Sequence, residues 1–187
     1  MKPAAWSLRH AVETVSSGGV IAYPTESVYG LGCDPLEQAA VQRIFELKGR
    51  DASKGLILIA SDIGQLLPFM AKLSDAILQK LEASWPGPVT WVVPAAESLP
   101  SWLSGGRDTL AVRVTAHPVA SALCRELDMA LVSTSANRSG RPPVRTALAV
   151  RSLFGDGVDH ILPGVVGGLA RPTEIREALT GKVLRAG

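Results

Sequence analysis

Short apolar runs rich in β-branched residues recur from one end of the chain to the other, and no other feature constrains the fold as strongly. Turn residues bound each run, which is typical of strands buried in a sheet. The predicted strands cover residues 20–23, 56–60, 89–93, 110–114, 131–133, 160–162 and 182–184.

Segments with helical spacing of apolar residues lie between these runs. Apolar positions 36, 40, 44 and 47 predict a helix that ends near Lys48, where Gly49 serves as the C-terminal stop. A helix is also expected to open at Pro118, with Thr115 or His117 as its cap. Further helices are predicted around residues 73–81, 144–154 and 173–179.

Strands and helices alternate along the chain, so the predicted class is α/β. Residues 89–93 are expected to form a hairpin with residues 110–114, which predicts an open, twisted sheet of mixed direction with flanking helices. The length of 187 residues and the 47% of hydrophobic residues fit one domain spanning residues 1–187, with a buried core. Cys33 and Cys124 are expected to remain free, buried or half-buried thiols.

Composition also limits the functions that the chain can have. A formal net charge of +2 does not by itself indicate a polyanionic partner, so any nucleotide or RNA contact requires local clustering of positive charge. Residues 1–10 lack the apolar run of a signal peptide, and no apolar stretch approaches the ~20 residues of a membrane span. The expected compartment is the cytosol.

The first polar segment covers residues 23–33 and reads YPTESVYGLGC. Thr25, Glu26 and Ser27 place hydroxyls and a carboxylate just past a strand end, where open α/β sheets commonly bind ligands. Gly30 and Gly32 permit a turn or a close approach of the backbone to a ligand. The alternative is an ordinary loop built from turn residues.

The second polar segment is a basic loop at residues 47–54, between a helix end and a strand. Lys48, Arg50 and Lys54 suit a polyphosphate, because arginine offers a planar fork to phosphate oxygens and lysine a point charge. The alternative is a solvated basic surface. Neither a P-loop motif nor a dinucleotide-binding glycine motif is present, so ATP has to be held in another way.

The third polar segment covers residues 131–140 and reads LVSTSANRSG, with hydroxyls and an amide directly after an apolar strand. Such a turn is either a cradle for an anion or a Ser/Asn turn that satisfies its own backbone. A related signal is Arg113, a lone arginine in an apolar strand. A buried arginine is costly unless it meets an anion, so Arg113 is expected to project into a cleft and hold a carboxylate.

Together these segments resemble the TsaC/YrdC family of threonylcarbamoyl-AMP synthases over nearly the whole chain. The matching motifs lie at residues 23–33, 48–50, 85–90, 111–114, 133–140 and 183–187. The resemblance implies a YrdC-like fold with a basic concave face. It also implies a reaction in which threonine and bicarbonate form N-carboxy-threonine, whose carboxylate attacks the α-phosphate of ATP and releases pyrophosphate. The product would pass to tRNA-modifying transferase proteins.

The resemblance also implies roles for individual residues. Lys48 and Arg50 would be catalytic. The residues implied to bind ATP are Arg50, Lys54, Thr109, Ser135, Asn137 and Arg185. The residues implied to bind threonine are Thr25, Ser27, Arg113, Ser133 and Thr173. No protein metal site is expected, and Mg²⁺ would be held by ATP and water.

This chain departs from the family pattern at three positions. Ile59 stands where many members carry a histidine that contacts threonine, which removes a polar contact. Ser27 replaces a common threonine and Thr173 a common serine, and both exchanges keep a hydroxyl.

Two other functions remain possible from the residues alone. One is an RNA-binding module that uses the basic face, although the few clustered basic residues predict weak binding. The other is a domain that handles a carbamoyl-adenylate, as in hydrogenase maturation factors.

Overall fold

Nine strands form one sheet within residues 4–187, the part of the chain that the computed structural model describes. The strands are β1 Ile21–Pro24, β2 Tyr29–Gly32, β3 Ile57–Ala60, β4 Val89–Pro94, β5 Thr109–Val114, β6 Leu131–Ser135, β7 His160–Ile161, β8 Glu174–Glu177 and β9 Val183–Arg185. Their order across the sheet is β7-β1-β2-β6-β3-β5-β4-β8-β9. The prediction that residues 1–10 are not a signal peptide falls in part on residues 1–3, which lie outside the described residues.

The sheet mixes parallel and antiparallel pairs. β3 is parallel to β5 and antiparallel to β6, while β4 is antiparallel to β5 and parallel to β8. The predicted α/β class and mixed sheet are confirmed, as is the pairing of residues 89–93 with residues 110–114. Each of the seven predicted strands is present, with ends within two residues of the prediction.

Six α-helices lie within residues 4–187. They are α1 Ala5–Ser16, α2 Gln38–Lys48, α3 Asp75–Glu82, α4 Ser101–Ser104, α5 Pro118–Leu127 and α6 Ala147–Phe154. Short 3-10 turns occur at Ala52–Lys54, Leu67–Phe69 and Gly155–Gly157. In this part of the chain no helix is both long and apolar enough to cross a membrane.

The predicted helix ends agree with the structure in part. α2 ends at Lys48 because Gly49 adopts a left-handed conformation with φ of 55°, which glycine tolerates at little cost. α5 begins at Pro118 as predicted, but neither Thr115 nor His117 caps it with a side chain. Instead the Thr115 hydroxyl accepts a hydrogen bond from the backbone N–H of His117 at 3.1 Å.

The predicted helix over residues 173–179 is wrong, because Glu174–Glu177 forms strand β8. β8 pairs with β4 on one side and with β9 on the other. β4 lies far away in sequence and β9 follows β8 after a short turn. The backbone hydrogen bonds to these two strands override the local helix propensity of the glutamate and arginine residues of β8.

The sequence gives no strong local signal for strand β2. Gly30 and Gly32 are predicted to permit a turn or a close approach of the backbone to a ligand, and the structure places both within this strand, with Gly30 in the cleft described below. A Cβ on Gly32 would lie 2.4 Å from the carbonyl oxygen of Val132 and 2.8 Å from Cε1 of Tyr23. Glycine is therefore needed at this position for close packing of the strand and not for a turn.

Helices cover the two faces of the sheet to different extents. Because side chains alternate along a strand, Leu58, Val112 and Val132 share one face, where they pack with residues of α2, α3 and α6. Ile59 and Leu131 lie on the other face, where they pack with residues of α1 and α5. Cys33 and Cys124 are buried free thiols, as predicted, one in each of these two clusters.

Candidate active site

A cleft of about 600 Å³ lies on the part of the second face that α1 and α5 leave open. Strands β2, β3, β4, β5, β6, β8 and β9 all contribute to its walls. The predicted site residues that line it are Thr25, Ser27, Arg50, Lys54, Thr109, Arg113, Ser133, Ser135, Asn137, Thr173 and Arg185. The structure therefore brings every predicted site residue to one cleft except Lys48.

The cleft extends across the sheet face and is not confined to the crevice past the strand ends that the sequence suggested. Val92, Ala111 and Ile175 lie within strands and form part of its lining. These side chains share the face that carries Arg113, because residues two apart on a strand point the same way and paired residues point together. Helices α1 and α5 cover this face as far as Ile59, and the cleft begins at Ile57.

The basic end of the cleft lies where two loops approach β3 and β5. These strands are parallel, with Ile57 opposite Ala111, so the loop before β3 lies beside Thr109 at the start of β5. Arg113 is four residues further along β5, roughly 13 Å away at the usual rise of a strand. The cleft therefore has two ends with different chemistry.

Arg50 and Arg107 converge at the basic end, on either side of Gly55. The Nη2 atom of Arg50 donates to the carbonyl oxygen of Gly55 at 3.0 Å. A Cβ on Gly55 would lie 2.7 Å from Nη2 of Arg107, and Gly55 has φ of 60°, so glycine permits this approach. Burial, together with the nearby charge of Arg107, lowers the pKa of Arg50.

Sequence reasoning missed Arg107. Its only local signal is a basic residue in a glycine turn, two positions before Thr109. Its proximity to Arg50 depends on the parallel pairing of β3 with β5, which the local sequence does not reveal.

The lining of the cleft is strongly basic. Its charged members are Arg50, Lys54, Arg107, Arg113 and Arg185, and no aspartate or glutamate is among them. Within residues 4–187, no group of three His, Cys, Asp or Glu side chains is placed to hold a metal ion. Convergent cations in a lining that has no carboxylate favour a bound polyanion, and a triphosphate has the matching charge.

Lys48 does not line the cleft, and its side chain reaches the end of β6 and the turn that follows it. Its Nζ donates to the backbone carbonyl of Ser135, to that of Asn137 at 3.0 Å, and to Oδ1 of Asn137 at 3.4 Å. In return the carbonyl of Lys48 accepts from the backbone N–H of Ser139 at 2.7 Å. Burial and the charge of Arg50 lower the pKa of Lys48 to about 8.

The Ser135–Asn137 turn is held by its own hydrogen bonds as well. The hydroxyl of Ser135 donates to Oδ1 of Asn137 at 2.6 Å, and Nδ2 of Asn137 donates to the carbonyls of Arg138 and Arg141 at 2.9 and 2.7 Å. The turn therefore satisfies its own backbone, as one sequence interpretation has it. It also lines the cleft, and its role as a cradle for an anion stays a prediction.

Arg113 forms the other end of the cleft and is 4% exposed. Its Nη1 donates to the hydroxyls of Thr90 and Thr173 at 3.1 and 2.9 Å, and its Nη2 donates to Oε2 of Glu26 at 3.2 Å. The sequence predicted that Arg113 meets a carboxylate, and the carboxylate that it meets in this structure belongs to the protein itself.

Hydroxyl side chains line the cleft near Arg113. Gly30 lies between two of them, because a Cβ on Gly30 would lie 3.3 Å from Cγ2 of Thr25 and 3.6 Å from Oγ of Ser133. The hydroxyl of Thr25 donates to the carbonyl of Val28 at 2.7 Å, which fixes that side chain at the cleft wall. These groups are suited to hydrogen bonding with a small polar ligand.

Ile59, the position where many relatives carry histidine, contributes nothing polar to the cleft. It is fully buried and belongs to the apolar cluster with residues of α1 and α5. Ile57, two residues earlier on the same face, lines the cleft in its place.

The family comparison covers most of the chain. Residues 13–187 match the Sua5/yciO/yrdC family model, whose description is telomere recombination. A protein of Nitrosococcus oceani named threonylcarbamoyl-AMP synthase is 57% identical over 180 residues, which cover 96% of this chain and 97% of that relative.

Solved structures share the fold. The crystal structure of P. abyssi Sua5 complexed with L-threonine matches with a TM-score of 0.86 at 34% identity, over 92% of this chain and 51% of that one. The crystal structure of E. coli YciO matches with a TM-score of 0.85 at 26% identity, over 99% of this chain and 92% of that one. The chain therefore spans about half the length of that Sua5 protein and nearly all of YciO.

Proposed function

The chain belongs to the Sua5/YciO/YrdC family, and from this membership we propose that it is an enzyme that makes threonylcarbamoyl-AMP from ATP, L-threonine and bicarbonate. The observation that carries the proposal is the single cleft with two chemically different ends. One end has Arg50, Lys54 and Arg107 with no carboxylate in the cleft lining, and the other has Arg113 among hydroxyls. The product is an intermediate for threonylcarbamoyladenosine modification of tRNA.

The proposed chemistry needs no nucleophilic side chain. Threonine and bicarbonate condense to N-carboxy-threonine with loss of water. A carbamate oxygen then forms a bond to the α-phosphorus of ATP while the bond from that phosphorus to the bridging oxygen breaks, and pyrophosphate leaves. Alignment of the two substrates and neutralisation of charge supply most of the catalysis in such a transfer.

The basic end is where we place the phosphates. Arg50 offers a planar fork to phosphate oxygens, and Lys54 and Arg107 add positive charge beside the departing pyrophosphate. The Ser135–Asn137 turn lines the same cleft, and its side-chain O–H and N–H groups donate within the turn and so fix its shape beside the proposed ATP. Lys48 supports catalysis through that turn, because its ammonium group donates hydrogen bonds to the backbone carbonyls of Ser135 and Asn137.

The other end is where we place threonine. The second N–H of Arg113 Nη2 is available for a carboxylate, and Thr25, Ser133 and Thr173 offer hydroxyls to polar groups of the substrate. The relative solved with bound L-threonine supports this assignment, because the two chains share the fold over 92% of this one. Ile59 adds no polar contact, so hydroxyls and Arg113 carry the recognition.

Mg²⁺ is expected to accompany ATP. No carboxylate lines the cleft within the described residues, so the donors there do not suit a metal ion held by the protein. Triphosphate oxygens and water would supply the ligands of the ion.

Pyrophosphate release tests the proposed reaction. The purified protein is expected to release pyrophosphate only when ATP, L-threonine and bicarbonate are present together. Equal release without threonine would show that the assigned acceptor is wrong. Release supported by carbamoyl phosphate in place of threonine and bicarbonate would favour the carbamoyl-adenylate function instead.

RNA binding is predicted to be weak and strongly dependent on salt. The net charge is only +2, and the basic residues of the cleft lie inside a concave site that suits a small polyanion. Filter binding of tRNA across a salt titration measures this directly. Tight binding that resists salt would favour the RNA-binding module.

A further inference from the structure

Glu26 and Arg113 form an ion pair in which both side chains are buried. Their side chains are 9% and 5% exposed, and Nη2 of Arg113 lies 3.2 Å from Oε2 of Glu26. The ion pairs of Arg43 with Asp159 and Arg176 with Glu174 are both much more exposed. The residues of the buried pair are 87 positions apart in sequence, so only the fold brings them together.

The carboxylate of Glu26 is anchored on its other side as well. The hydroxyl of Thr115 donates to Oε1 of Glu26 at 2.6 Å, and that hydroxyl also accepts from the backbone N–H of His117. The backbone carbonyl of Glu26 accepts from the N–H of Leu169 at 3.2 Å. Both ends of this residue are therefore fixed.

Glu26 is ionised in this environment. Burial acts to raise the pKa of its carboxyl, but the charge of Arg113 and the hydrogen bond from Thr115 outweigh burial and lower the pKa. The neighbouring His117 has a lowered pKa, chiefly because of burial, and its Nε2 faces the carbonyl of Val165 at 3.1 Å. Arg113 therefore meets a full negative charge.

Three of the five N–H donors of Arg113 have partners within the protein. Each terminal nitrogen of a guanidinium carries two N–H groups in one fixed plane. Both N–H groups of Nη1 donate to Thr90 and Thr173, and one N–H of Nη2 donates to Glu26. This leaves one N–H on Nη2 and the N–H of Nε, which is buried and has no partner among the described residues. Because the group is planar, the bond to Glu26 fixes the direction of the remaining Nη2 N–H.

We propose that Glu26 is a positioning residue for substrate binding, which fixes the guanidinium of Arg113 so that its remaining Nη2 N–H meets the carboxylate of threonine. This inference rests on the proposed function, in which Arg113 binds that carboxylate. Glu26 does not itself line the cleft, so it acts through Arg113.

Stability alone does not account for this pair. Removing two charges from water is costly, and replacing a buried ion pair by packed apolar residues is often neutral or stabilising. The geometry that Glu26 imposes on Arg113 gives this pair a role that stability does not supply.

The test compares steady-state kinetics of wild type and Glu26→Gln. Glutamine keeps the shape but removes the charge, so the KM for L-threonine is expected to rise roughly tenfold to hundredfold. The KM for ATP is expected to change by less than about twofold, because the phosphates contact the other end of the cleft. Glu26→Asp keeps the charge on a shorter side chain and is expected to recover part of the loss.

Asp159→Asn is the matched control, because it breaks an ion pair with Arg43 (2.9 Å) outside the cleft lining. It is expected to leave both KM values unchanged. If Glu26→Gln does not fold, as judged by circular dichroism, Thr115→Val removes the hydrogen bond to Glu26 and is expected to raise the KM for threonine by about threefold to tenfold.

Calorimetric titration with L-threonine separates this inference from the proposed function. If wild type binds threonine but releases no pyrophosphate with all substrates, the proposed function fails, and the Kd for threonine in Glu26→Gln still decides the role of Glu26. A wild-type Kd or KM for threonine in folded Glu26→Gln would overturn the inference, as would equal rises in the KM for threonine and for ATP.

Discussion

Replacing Arg50 with alanine is expected to lower turnover by about 10²–10³-fold, because it removes a preorganised donor from the end of the cleft where charge develops on the leaving pyrophosphate. The same change is expected to lower the free energy of unfolding by only about 1 kcal/mol, since Arg50 makes one good hydrogen bond, to the carbonyl of Gly55 at 3.0 Å. Arg50→Lys is expected to stay defective, because an ammonium group does not reproduce the guanidinium fork.

Steady-state pyrophosphate release and thermal melts of each variant measure these two effects separately. Arg151→Ala is the matched control, since Arg151 is exposed on α6 and does not line the cleft. It is expected to match wild type in both assays. Near-normal turnover of Arg50→Ala would mean that the basic loop is a solvated surface.

Replacing Lys48 with alanine is expected to damage both stability and turnover. Its buried ammonium group donates to the backbone carbonyls of Ser135 and Asn137, and losing such charged hydrogen bonds costs roughly 2–3 kcal/mol. Turnover is expected to fall about tenfold to hundredfold, because the Ser135–Asn137 turn at the cleft wall is displaced.

Lys80→Ala is a matched control, because Lys80 also donates to a backbone carbonyl, that of Ala178 at 3.1 Å, but outside the cleft. The melting temperature then distinguishes two roles for Lys48. A large loss of turnover with an unchanged melting temperature would show that Lys48 contacts phosphate directly, as the sequence motif implies. A combined loss, as predicted here, shows that it supports the turn.

The local sequence predicts a structural feature correctly where the residues that determine the feature are contiguous. The end of α2 at Gly49, the basic loop before β3 and the polar turn after β6 each follow from contiguous residues. These three segments meet because Ile57 pairs with both Ala111 and Ser133, and spacing along the sequence alone does not fix that register.

The features that were missed depend on distant partners. Residues 174–177 form a strand because they pair with β4 and β9, although the composition of residues 174–177 favours a helix. Arg107 belongs to the cleft because it lies over Gly55, and Arg113 is neutralised by Glu26 from 87 positions away. A pattern of local residues predicts none of these contacts.

The most direct test of the proposed activity is mass spectrometry of the product formed from ATP, L-threonine and ¹³C-labelled bicarbonate. We predict one adduct that contains AMP, threonine and a single labelled carbon, and we predict that Arg50→Ala forms it far more slowly. An AMP product that lacks threonine, or an adduct that carries no label, would contradict the proposed synthesis of threonylcarbamoyl-AMP.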